Sequence, residues 1–207
     1  MTIVNGYATV AQVKTEVSTV AQSNTDYDPR IEMAIAAASR QIDAHCGRRF
    51  WQDANVVDRQ YYPTDSRNVD VDDISTTTGL VVKIDINDDG TYAQTLTQTT
   101  NFLLFPFNAA DNVPVWPYTQ IRLVDYGTSY FPTYMSGRPT VQITAKFGWP
   151  AVPDAVTKAC IVQATQLFKA SDAVFGGIQL GMEGILRVRE QLNPMAAALV
   201  EEFVKLQ

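Results

Sequence analysis

The chain is poor in the residues that surface chemistry most often uses. Its 207 residues include one histidine and two cysteines. Cys46 and Cys160 lie far apart, each within a segment of helical period. They read as small buried hydrophobes in a reducing compartment rather than as a disulfide or a metal pair. Positive charge is also scarce: 16 Lys and Arg stand against 22 Asp and Glu, a net charge of −6. Phosphate binding rests on clustered cations that release counterions, so a general affinity for nucleic acid is not expected. No apolar run has the length needed to cross a bilayer, and the opening MTIVNGYATV has no basic leader, so neither membrane insertion nor export is expected. G-x-S-x-G, H-E-x-x-H and a glycine-rich phosphate loop are all missing. Nucleophilic, metal-assisted and phosphoryl-transfer catalysis therefore lack their usual parts, and the chain reads as a non-enzyme with no cofactor.

What is present describes a folded protein. Hydrophobic residues make up 46% and charged residues 18% of the chain, well away from the polar, highly charged composition of disorder. The length suits one compact domain carrying an inserted module. Thr9 followed by Gln12 is a capping-box pair, and Val10, Val13, Val17 and Val20 mark one face of a short first helix. A second helix is expected with Asp28 as N-cap, Pro29 at the first helical position and Gly47 as terminator, with Ile31, Ile35, Ala38, Ile42 and Cys46 on one face. Its alanines, Ala34, Ala36, Ala37 and Ala38, let another helix approach closely.

From about Val56 to Phe147 the period changes to two. LVVKIDI and VQITAKF alternate apolar and polar residues, and VVDRQYY, TYAQTLT, FLLF and QIRLVDY are further strands between turns rich in Gly, Pro, Asn and Asp. The period returns to helical in PAVPDAVTKACIVQATQLFK, where Pro153 and Asp154 mark the start and Val152, Val156, Ala159, Cys160, Ala164, Leu167 and Phe168 form the apolar face. A glycine-rich loop over 171–184 follows, then the strand-like ILRVRE. Asn193 and Pro194 open a last helix with Met195, Leu199, Phe203 and Leu206 on its apolar face. The expected fold is α+β: a small bundle of about four helices with an inserted antiparallel β subdomain, the helical part comprising 1–55 and 148–207 and the insertion 56–147.

Several stretches carry candidate chemistry. DINDDG, Asp85 to Gly90, matches the first half of a calcium loop, with Asp85, Asn87 and Asp89 as weak candidate metal ligands. The twelfth loop position is Leu96 rather than a bidentate Glu, and the flanking segments alternate as strands, so a hairpin turn is the competing reading. His45 sits in the last turn of the second helix, where it suits the free carbonyls. GRRFW, residues 47–51, pairs two arginines with two aromatics, as phosphate and base sites do. A helix C-terminus followed by packing aromatics explains it better. Tyr130, Phe131 and Tyr134 fall in an irregular loop, either to cover the sheet or to anchor another subunit.

Taken in order, YATVAQVK, AIAAASRQIDAHCGRRF, IDINDDGTYAQTL with FLLFPFNA, KFGWPAVPDAVTKACIVQATQLFK and GILRVREQLNPMAAALVEEF resemble the head-tail connector, or adaptor, proteins of long-tailed double-stranded DNA bacteriophages. The resemblance covers nearly the whole chain. It implies a virion structural protein, made in the bacterial host cytoplasm, that forms a homo-oligomeric ring, usually a dodecamer, below the portal. Such a ring extends the DNA channel and offers a docking platform for a neck or tail-completion protein, while genomic DNA passes without sequence-specific binding. A calcium-binding or DNA-contacting β module of a phage neck is the alternative. The loop and the last helix are then expected to reach neighbouring molecules, which adds Phe175, Ile178, Leu180, Leu199, Phe203 and Leu206 to Tyr130, Phe131 and Tyr134 as interface candidates.

Overall fold

A computed structural model describes residues 3–17, 20–124, 129–133, 137–175 and 192–205, the side chains of 172–175 excepted. The chain divides into two compact units, a helical one of Met1–Phe50 with Val152–Gln207 and a sheet unit of Trp51–Ala151. The fold is α+β.

The helical unit holds α1 (Val10–Glu16), α2 (Asp28–Cys46), α3 (Asp154–Phe175) and α4 (Pro194–Val200). At the start of α1 the capping box forms: the Thr9 hydroxyl accepts from the Gln12 N–H, and the Gln12 side chain accepts from the Thr9 N–H at 2.8 Å. The second helix begins one residue earlier than expected, so Asp28 is its first residue and Tyr27 its cap, without a side-chain hydrogen bond. The reason is Lys14, whose buried ammonium pairs with the Asp28 carboxylate at 2.5 Å and donates to the Asn24 carbonyl at 2.7 Å. Gly47 closes α2 at φ +64°, a left-handed cap that favours glycine.

Two boundaries in the second half of the unit differ from expectation. Helix α3 continues through Ser171–Phe175, into the segment expected to be a glycine-rich loop, because SDAVF contains no breaker before Gly176. The remainder of that loop and ILRVRE lie outside the described residues. The last helix stops at Val200 and tightens into a 3-10 turn over Glu201–Phe203 instead of running to Leu206. Its buried face is Ala196, Val200 and Phe203, rotated from the expected Met195 and Leu199, and Met195 is exposed. A hydrogen bond from the Lys205 N–H to the Cys46 carbonyl, 2.9 Å, ties the following residues to the end of α2.

Tyr7 joins the N-terminal segment to α2. Its N–H donates to Ser39 Oγ at 3.1 Å, its hydroxyl donates to the Asp43 carboxylate, and the same hydroxyl accepts from the Phe50 N–H at 2.9 Å. Burial and the Asp43 hydrogen bond hold the Tyr7 hydroxyl well above the usual tyrosine range, and burial with the neighbouring Asp72 does the same for Tyr61. The folded state thus retains protons that the unfolded chain releases above pH ~10, so stability falls as pH rises past that value. Urea midpoints measured from pH 8 to 11 should decline, and Tyr7→Phe should both flatten that decline and cost about 1–3 kcal/mol at neutral pH through loss of the hydrogen bonds that the hydroxyl makes with Asp43 and Phe50. A decline as steep in the variant as in the native chain would contradict the role given to Tyr7.

The sheet unit holds β1 (Val57–Tyr61), β2 (Asn68–Ile84), β3 (Gln94–Leu96), β4 (Phe102–Phe105), β5 (Tyr118–Leu123) and β6 (Val141–Phe147). They form one antiparallel sheet in the order β1-β6-β2-β5-β4, with β3 beside β2. Strand β2 is 17 residues long and slips register between Asp70 and Ile74 and again before Val81, so its first half pairs with β5 and its second half with β3. Such irregularities bend a strand. One face, including Val69, Val71, Ile74, Val82, Ile121, Ile143 and Phe147, supplies the core, and Phe131 from the loop before β6 packs into it.

Candidate functional site

The expected interface residues divide three ways. Tyr130 is 44% exposed and Leu199 half-buried, so both reach the surface. Phe131 and Phe203 do not: contrary to expectation, both are core residues. Phe131 is fully buried against the sheet, with its N–H donating to the Ser66 carbonyl at 2.9 Å, because the loop folds back over the apolar face. Phe203 is buried edge-on to Phe50 at 5.6 Å, because the 3-10 turn rotates it inward. Tyr134, Ile178, Leu180 and Leu206 lie outside the described residues, as does the side chain of Phe175.

The calcium-like stretch is a capped turn. Asp85 is fully buried and its carboxylate accepts from the Asp89 N–H at 3.2 Å and the Gly90 N–H at 2.6 Å, while Asp89 accepts from the Thr91 N–H at 2.8 Å. These carboxylates satisfy backbone donors, as Asp does in tight turns, and Asn87 is exposed beside them. Among the described residues no three His, Cys, Asp or Glu side chains gather as a metal site. His45 lies 3.9 Å from Glu201, at the C-terminal end of α2. Of GRRFW, Phe50 is core and Trp51 half-buried, the packing that the simpler reading expects. Cys46 and Cys160 are both free and buried, and burial pushes the Cys46 thiol up to about 12, so neither is a reactive thiolate at neutral pH.

Two surfaces were not read from the sequence. On the helical unit, Arg30, Met33, Ala34 and Ala37 of α2 and Leu167 and Ser171 of α3 line an apolar groove of about 310 Å³. Met33 is 63% exposed there, and Arg30 donates to Ser171 Oγ at 3.2 Å with its guanidinium 5.5 Å from the Phe168 ring. The spacing 33, 37 on the face of α2 opposite Ile31 and Ile35 is the only sequence signal for it. On the sheet unit, the loop between β4 and β5 displays Phe107, Val113 and Val115, with Val113 99% exposed. The loop is nevertheless ordered: Ala109 is buried, its carbonyl accepts from the Trp116 N–H at 3.1 Å, and the Trp116 ring packs on Trp149 at 5.0 Å.

Charge is not shared evenly. The sheet unit has eleven Asp and no Glu against six Lys and Arg, a net −5 of the chain's −6. On its polar face Asp70 accepts from Gln120 at 2.8 Å and from Thr64 at 2.8 Å, and Asp72 pairs with Arg59 at 2.5 Å. An acidic unit of this kind repels a phosphate backbone.

No protein-family model matches the chain, and no curated protein matches it. Solved structures do. A chain from the neck of an empty gene transfer agent (GTA) particle, computed with C6 symmetry, is similar over 94% of this chain and 89% of its own length, at 15% identity and a TM-score of 0.51. A chain from the neck of a native particle, computed with C12 symmetry, covers 100% and is covered over 93%, at 16% identity and a TM-score of 0.48. A third, from the virion of the native particle, covers 90% and is covered over 82%, at 18% identity and a TM-score of 0.44. Through both units, this chain has the α+β fold of a chain in the neck of the empty GTA particle.

Proposed function

We propose that this chain is a structural protein of a virion neck, a head-tail adaptor that assembles as a ring below the portal, extends the DNA channel and offers a docking platform to the next neck or tail-completion protein. The observation that carries the reading is the likeness in fold to a neck chain across 94% of the sequence, which includes both the helical and the sheet unit. A ring of identical copies gives a use to apolar groups left uncovered on both units, since a head-to-tail interface buries two different patches on every copy. The acidic surplus of the sheet unit suits a wall past which DNA moves without being gripped. Among the described residues no helix is long and apolar enough to cross a membrane. The partners of this reading are further copies of the chain, the portal protein and a neck or tail-completion protein, with genomic DNA in the lumen, in a virion assembled in a bacterial host.

A calcium-binding or DNA-contacting β module is the weaker alternative. Asp85 is committed to its own turn, and the unit carries net negative charge. Negative-stain images of the purified full chain, alone and mixed with the portal of the same particle, test the proposal. Rings, or a portal bearing an added tier, are expected. A chain that remains monomeric and leaves the portal bare in both samples contradicts it.

A further inference from the structure

The groove on the helical unit includes a cation and the exposed loop on the sheet unit an anion, and we infer that they are the two halves of one contact: the β4–β5 loop of one copy inserts into the α2/α3 groove of the next. This rests on the ring reading above and names its copy-to-copy contact. The loop is a knob, built rigid by the bond from the Trp116 N–H to the Ala109 carbonyl at 3.1 Å, with Phe107 62% and Val113 99% exposed at its surface. A preformed loop loses little conformational freedom on docking. The groove is a hole of about 310 Å³, at the small end of the roughly 300–1,000 Å³ typical of ligand pockets, which suits an aromatic ring and a neighbouring valine rather than a whole helix. Its exposed Met33 is an adaptable apolar wall.

Charge gives the orientation. Arg30 lines the groove, and the loop carries the exposed Asp111 between Phe107 and Val113 and no cation of its own. With the loop seated, Asp111 reaches toward Arg30 while the apolar pair fills the hole. Knob and hole lie on different units of the chain, so each copy can offer its knob to one neighbour and its hole to another, a head-to-tail contact. Repeated around an axis, such a contact generates a ring where its rotation closes.

The test uses engineered cysteines on the full chain, with native Cys46 and Cys160 buried and silent. The Ala37→Cys, Val113→Cys double variant, mildly oxidised, should give a ladder of covalent multimers, whereas an equal mixture of the two single variants should stop at dimers. Separately, Phe107→Asp should reduce the assembled fraction roughly tenfold or more, the loss expected for an aromatic anchor, with the unfolding midpoint of the isolated chain unchanged. Wild-type rings together with an absent ladder and intact Phe107→Asp rings would overturn this contact and leave the ring reading standing. Intact Phe107→Asp rings that no longer bind the portal would assign the loop to the portal and overturn it equally. A wild-type chain that forms no ring, alone or on the portal, overturns both.

Discussion

Gly148→Ala is expected to destabilise the sheet unit by at least about 3 kcal/mol, more than typical single substitutions cost. The residue follows β6 at φ +105°, outside the conformations an alanine adopts without strain. An added methyl carbon would stand 1.9 Å from the Trp51 carbonyl oxygen and 2.8 Å from its carbon, both backbone atoms that cannot rotate away. The surroundings are also pinned: the Gly148 N–H donates to the Asp73 carbonyl at 2.7 Å, and the Asp53 N–H donates to the Phe147 carbonyl at 2.9 Å. Relief therefore requires moving the start of the unit's chain away from β6, which breaks those bonds. Urea unfolding followed by tryptophan emission reads the effect, since the fully buried Trp149 is the next residue. A variant with the native midpoint would show that the approach of Trp51 to Gly148 is not a constraint.

Phe203→Ala separates a core residue from an interface residue. Phe203 is 1% exposed, and Phe50, its edge-on partner at 5.6 Å, is in turn 5.8 Å from the Tyr7 ring. Truncation empties one end of this aromatic row and is expected to cost about 3–5 kcal/mol, as deletion of a buried phenylalanine does. The loss should appear in the isolated chain and should not vary with protein concentration. A residue that packed only against a neighbouring copy would behave in the opposite way, with stability of the monomer unchanged and assembly lost. Denaturant titrations at two well-separated concentrations distinguish the outcomes.

Much of the fold was legible in local signals. The Thr9–Gln12 box, Gly47 as a left-handed stop, the alternation of VQITAKF and the Asn193–Pro194 start all describe interactions within a few residues. What escaped depends on distant partners. Asp28 has the chemistry of an N-cap, yet Lys14 claims its carboxylate. The first half of β2 places Val69 and Val71 inward, but Asp73 and Ser75 are buried as well, because Asp73 accepts from the Trp149 indole at 3.3 Å and Ser75 donates to the Lys146 carbonyl at 2.7 Å. Those polar residues interrupt the alternation by which a strand is recognised. Candidate surfaces were least legible. Hydrophobicity marks Phe107, Val113, Phe131 and Phe203 alike, and only the folding of their loops and turns puts two outside and two inside.

The central claim is that identical copies of this chain surround the neck axis of a particle. A map of intact necks reconstructed without imposed symmetry tests it most directly. The account predicts density for both units of the chain repeated around the axis beneath the portal, with the β4–β5 loop of each copy against α2 and α3 of the next. A neck that lacks the chain, or holds it as a solitary copy away from the axis, would contradict it.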